Sequence, residues 1–153
     1  MSQTQAPLAS QDAEALFARV KASFVRQGLM QQLNARLVRV EPGLCEVALP
    51  YSDRVTQQQG GFHGGAMGAL ADIAGGYAGL TVLPAGMEVT TVEYKVNFLA
   101  AFRDGELRAT GRVLKGGKRI IVTMAEVRHV AADGKVSDCA VMQQTLVPVA
   151  QTY

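Results

Sequence analysis

The chain has no tryptophan, two cysteines and two histidines, and only 18% of its 153 residues are charged. Each scarcity excludes something. Cys45 and Cys139 stand far apart without CxxC spacing, so no disulfide framework is readable. Two buried thiols in a reducing, cytoplasmic setting are the expectation. With only His63 and His129 beside them, these cysteines make no zinc site, and neither a metal nor an organic cofactor is expected. No block of consecutive Lys or Arg occurs and the net charge is +2, which argues against a nucleic-acid partner. A serine nucleophile elbow of GxSxG form is also missing. The opening MSQTQAPLASQDAE has neither the basic nor the apolar region of a signal peptide. The most apolar stretch, Phe62 to Val82, is broken by Asp72 and by glycines, so it reads poorly as a membrane span.

What is there suits one ordinary domain over residues 1–153, with 48% hydrophobic residues to fill its core. Leu16, Val20 and Phe24 recur every four residues, which predicts a helix over about 10–29 with Ser10 as its cap. Strands are predicted at Ala35–Glu41 and Leu44–Leu49, joined by a Pro42-Gly43 turn. A polar loop leads into a helix within Phe62–Leu83, stopped by Pro84 and Gly86. Four further strands are predicted at Val89–Phe98, Leu107–Val113, Arg119–Val130 and Val136–Val147. The glycine-bearing turns 115–118 and 132–135 separate the last three. A single apolar helix among five or six strands must be covered by their sheet, and the class is α+β with a core over about 35–148.

Between Arg54 and Glu88, Asp72 is the only formally charged residue. An unpaired carboxylate among core side chains costs several kcal/mol even after relaxation. Such a group either faces solvent or has a partner or a chemical task, and its surroundings favour the task. Gly64, Gly65 and Gly68 open the same helix, although glycine costs roughly 1 kcal/mol against alanine there. They could serve close packing on the sheet. They could also bare the N–H groups of a helix N-terminus for an oxyanion. His63 precedes them as a general base or, more commonly for such a residue, a loop cap. Asp72 follows Gly64 by eight residues, roughly 12 Å of helix rise. One thioester cannot easily meet both on one helix. Two antiparallel helices from two chains would bring Gly64 of one to Asp72 of the other, and a homodimer with shared sites is expected.

The run QQQGGFHGGAMGALADIAGGYAG resembles the core of hotdog-fold acyl-CoA thioesterases, particularly the phenylacetic-acid-degradation (PaaI-like) family. The shared elements are His63-Gly64-Gly65 and then Leu70-Ala71-Asp72 at the matching spacing. The later VTTVEYKVNFLAAFRDGELRATGRVLKGGKRIIVTMAEV is similar to that family's following strands. The resemblance implies an antiparallel sheet wrapped around a central helix. It also implies hydrolysis of an acyl- or aryl-CoA thioester. Asp72 would be nucleophile or general base, the Gly64 N–H would polarise the carbonyl, and Thr91 would help hold the attacking water. Gln57 stands where PaaI-like enzymes usually carry Asn. 4-Hydroxybenzoyl-CoA and dihydroxynaphthoyl-CoA thioesterases carry Gln there, paired with Glu where this chain has Asp72, so the acyl preference stays open. His63, Gly65, Phe62 and Met67, with Tyr77, are candidates for the substrate site, although Phe62, Met67 and Tyr77 read more readily as ordinary core. Lys95, Lys115, Lys118 and Arg119 could meet the CoA phosphates, unless Lys115 and Lys118 are merely a solvated turn. Dimers could pair further into a homotetramer, a dimer of dimers. A hotdog enoyl-thioester hydratase and a non-catalytic acyl-CoA-binding module are the rival readings.

Overall fold

Alternation along the strands decides which face is buried. In the computed structural model, which describes residues 8–153, six strands form one antiparallel sheet. They are β1 (Arg36–Glu41), β2 (Leu44–Pro50), β3 (Met87–Phe98), β4 (Glu106–Lys115), β5 (Ile121–Val130) and β6 (Val136–Ala150). Their order across the sheet is β1-β2-β4-β5-β6-β3. Leu107, Ala109 and Gly111 of β4 face inward, as do Ala140, Met142, Gln144 and Leu146 of β6. Gly43 takes a φ of +76° in the β1–β2 turn, a conformation that suits glycine.

The central helix α3 (Gly64–Leu80) lies on the inward face, against β2 through β6. Its buried positions run nearly all the way round, including Leu70, Ala71, Ala74 and Ala78. The sheet and helix therefore share one core, together with Val20, Phe24, Val47, Leu49 and Met142. This is the wrapped-helix α+β architecture that the sequence predicts. None of the helices among the described residues is long and apolar enough to cross a membrane.

The N-terminal helix departs from expectation. α1 spans Leu8–Phe24, so it starts before Ser10 and stops short of 29. Ser10 therefore lies inside the helix rather than at its cap. After Phe24 the chain tightens, with the Arg26 N–H donating to the Ser23 carbonyl at 3.1 Å and Gln27 N–H to that of Phe24 at 3.1 Å. Gln27 is extended, and a five-residue helix α2 (Gly28–Gln32) follows. The break turns Met30, only 1% exposed, into the core. A 3₁₀ turn at Asp53–Val55 interrupts the polar loop before α3. β3 and β6 also begin earlier or run on later than their sequence patterns suggest, each edge residue finding a partner on the other strand from Met87–Ala150 inward.

Both thiols are sealed. Burial pushes Cys45 up to about 12, with Glu46 adding to the shift, and burial pushes Cys139 up to about 11. The thiolate is the reactive species, so neither cysteine should react with Ellman's reagent in the native protein at pH 8, and both should appear on denaturation. A fast-reacting native thiol would contradict this packing.

Candidate active site

The N-terminus of α3 is built by His63. Its main-chain N–H donates to the Val55 carbonyl at 2.7 Å, and its Nδ1 accepts from the Gly65 N–H at 2.8 Å. His63 is thus the helix cap, the commoner of its two anticipated roles. The Gly65 amide is consumed by this cap. The Gly64 N–H has no hydrogen-bond partner among the described residues. The Phe98 ring lies over Gly64, where a Cβ would stand 3.2 Å from it. Gln57 is fixed beside this end by its N–H to the Gly61 carbonyl at 2.8 Å and by the Gly60 N–H to its own carbonyl at 2.9 Å. Its side-chain Oε1 accepts from the Gln59 N–H, which leaves Nε2 as a donor next to Gly61.

Asp72 lies two turns further on, half-buried, on the face toward β3 and β6. Thr91 of β3 donates its hydroxyl to Oδ1 at 2.7 Å, and Gln144 of β6 donates Nε2 to the same oxygen at 2.8 Å. Oδ2 has no partner among the described residues. Beside the carboxylate a cavity of about 200 Å³ opens between α3 and β3. Asp72 and Tyr77 form one wall and Val89 and Thr91 the other, with Ser23 and Gln27 closing the end. The Tyr77 hydroxyl accepts from Gln27 Nε2 at 2.7 Å and lies 3.1 Å from the Ser23 hydroxyl. Burial pushes this phenol up to about 12, so it stays neutral. A half-buried carboxylate beside a cavity, with one oxygen tied and the other without a partner, can take a proton from water or attack a carbonyl.

The structure brings Thr91, which only the family resemblance singled out, within hydrogen-bond distance of Asp72. It does not bring Gln57 or Gly64 to the cavity that Asp72 lines. Phe62, 2% exposed, packs edge-on to Tyr51 with ring centroids 5.2 Å apart. Met67, 4% exposed, meets the Cys139 thiol through its sulfur. Both are core residues, and neither lines the Asp72 cavity. Lys115, Lys118 and Arg119 sit on or beside the exposed β4–β5 turn, and exposed Lys95 of β3 donates to Asn97. Sequence reasoning missed Gln144, Ser23 and Gln27. For Gln144 a signal existed: the alternation Ala140, Met142, Gln144, Leu146 puts one amide on an apolar face. For Ser23 and Gln27 there was none: Ser23 meets Tyr77 from the last turn of α1 and Gln27 from the break that follows it.

The profile of the thioesterase superfamily matches residues 59–132, from the loop before α3 to just past β5. A Saccharolobus solfataricus protein named as a candidate esterase is 37% identical over 109 residues, covering 71% of this chain and 76% of that protein. The proofreading thioesterase EntH of Klebsiella pneumoniae is 31% identical over 91 residues, 60% of this chain and 66% of that enzyme. The crystal structure of a thioesterase family protein from Silicibacter pomeroyi superposes with a TM-score of 0.84 at 34% identity, covering 89% of this chain and 99% of the other.

Proposed function

Because the chain belongs to the thioesterase superfamily and is a thioester hydrolase of the hotdog fold, we propose that it cleaves an acyl- or aryl-CoA thioester at sites shared by two protomers. The observation that carries this reading is the state of Asp72. Its Oδ1 is held by Thr91 and Gln144, Oδ2 has no partner among the described residues, and the residue lines the cavity. In the water route, Oδ2 takes a proton as the water oxygen bonds to the thioester carbon. The carbonyl becomes an oxyanion that the Gly64 N–H and Gln57 Nε2 stabilise. The oxyanion collapses, the C–S bond breaks, and the CoA thiolate leaves to recover the proton. If Oδ2 attacks the thioester carbon directly, the C–S bond breaks, CoA leaves as the thiolate and an acyl-aspartate anhydride forms, and water adding to the Asp72 carbonyl carbon releases the acid in a second step. Single turnover in ¹⁸O-water separates the two, since only the second labels Asp72.

Two features support sharing between protomers. Gly64 lies about two helical turns from Asp72, with Gln57 in the loop that precedes α3, and an antiparallel partner helix would bring them to it. β3 is a twelve-residue edge strand that, among the described residues, pairs with β6 alone and shows Val92, Tyr94 and Phe98 to solvent. Isologous pairing along this edge would form the homodimer, and two such dimers a homotetramer. Lys115, Lys118 and Arg119 would then be placed to meet CoA phosphates, and the reducing cytoplasm supplies the substrate.

The test is a panel of short-chain, long-chain and aromatic acyl-CoAs read by free thiol, alongside acyl carrier protein thioesters. CoA release is the expected result. Ligand-induced stabilisation without thiol release would indicate a binding module. A change in enoyl absorbance without thiol would indicate a hydratase. For shared sites, Asp72→Asn and Gln57→Ala chains are refolded together. Heterodimers would carry one intact site, so the mixture should recover about one quarter of wild-type activity by random pairing. Recovery no greater than the sum of the separate variants would sink the shared site.

A further inference from the structure

Resting on the thioesterase reading, we infer that Gln144 is a positioning residue for hydrolysis, a buried amide that fixes the reacting rotamer of Asp72 at a cost in stability. Gln144 is 1% exposed, on the inward face of β6. Its Nε2 lies 2.8 Å from Asp72 Oδ1, 3.3 Å from the Asp72 main-chain carbonyl and 3.3 Å from Thr91 Oγ1. One amide nitrogen thus spans the backbone and side chain of the same residue. That leaves the Asp72 carboxylate little freedom about its χ angles, with Oδ2 directed away from the tied oxygen.

The other end of the amide has no such partners. Gln144 Oε1 and the hydroxyl of Thr123, which faces it across β5 and β6, are both buried without a hydrogen bond among the described residues. A buried orphan acceptor destabilises a fold, and each one in a native protein calls for an explanation. Turning the amide over would only make matters worse at Asp72. It would put a carbonyl oxygen, an acceptor with no proton to give, against an ionised carboxylate. The amide is held in place by a glycine: a Cβ at position 75 would stand 1.8 Å from Oε1 and 2.8 Å from Thr123 Oγ1. Gly75 on α3 therefore leaves the space that this amide fills. A methionine at 144 would leave no buried acceptor without a partner at this position, and the chain carries glutamine. Such a local conflict is the pattern of a residue kept for function.

Structure and function should respond in opposite directions. Gln144→Met keeps the length and removes the orphan oxygen, so Tm should equal or exceed that of wild type. In the same variant kcat should fall about 10-fold or more while KM stays within about twofold. Gln144→Glu keeps shape but sets a carboxyl group against Asp72, and its kcat should fall further. In an Asp72→Asn background, Gln144→Met should change kcat no further, because the amide acts through Asp72. Wild-type activity with an inactive Asp72→Asn variant secures the underlying thioesterase reading. With that secured, unchanged kcat in Gln144→Met, or a loss that tracks a fall in Tm, overturns the role of Gln144 alone.

Discussion

Asp72→Asn should lose about 1,000-fold in kcat while the protein melts within about 2 °C of wild type. A positioned general base contributes typically 10²–10⁴-fold, and about 1,000-fold corresponds to about 4 kcal/mol of transition-state stabilisation. The fold should survive because the amide keeps its carbonyl oxygen. That oxygen can still accept from the Thr91 hydroxyl and the Gln144 amide, which both use Oδ1 in the native site. What is lost is the free Oδ2, replaced by an NH₂ that can neither take a proton nor attack carbon. Thr91→Val provides the graded comparison. It removes one of two donors to Oδ1 and leaves the carboxylate in place, so a loss on the order of 10-fold is expected. Thiol release from the best substrate of the panel measures both. If Asp72→Asn keeps a tenth of wild-type activity, Asp72 is neither base nor nucleophile, and the ranking with Thr91→Val would show whether it even contributes.

Asp72 was legible in the sequence because charge is absent around it for more than a dozen residues on either side. A lone charge in an apolar helix is expensive, so the residue announces itself. Its partner Thr91 was legible only through the family resemblance, since a threonine in a β-branched strand is ordinary. Gln144 was hidden by its neighbour. Gln143 and Gln144 are adjacent, and one faces out while the other faces in. A one-residue error in strand register exchanges them. The end of α1 was missed for another reason. Nothing in Phe24-Val25-Arg26-Gln27 breaks a helix by propensity. Tertiary packing of Met30 and the hydrogen bond from Gln27 to Tyr77 decide where it stops. The six-stranded sheet around a central helix was readable because its strands alternate and its turns carry glycine, both local signals.

Glycines on and under α3 carry a second large effect, on stability rather than on chemistry. Gly111 lies in β4, paired with Cys45 on one side and Ala125 on the other, directly beneath the helix. A Cβ at 111 would stand 2.2 Å from the Ala74 carbonyl oxygen and 2.5 Å from the Gly75 nitrogen. Those atoms are helix backbone, so no rotamer change can relieve the clash. The helix would have to rise by roughly 1 Å across a close-packed interface, opening gaps around Leu70 and Ala78 that interior packing does not tolerate cheaply. Gly111→Ala should therefore cost about 4 kcal/mol, at the upper end for a point change, and lower Tm by about 10 °C. Gly79→Ala meets the Leu146 Cδ1 at 2.5 Å, the end of a side chain that can turn, and should cost about half as much. Gly116→Ala, with its nearest neighbour at 4.0 Å, should be close to neutral. Thermal denaturation of the three variants should give that order. The displacement in Gly111→Ala would also carry Asp72 and the Gly75 gap away from Gln144, so any folded fraction should turn over slowly with KM little changed. A Gly111→Ala protein that melts with wild type would mean the helix does not rest on β4 as closely as its backbone distances require.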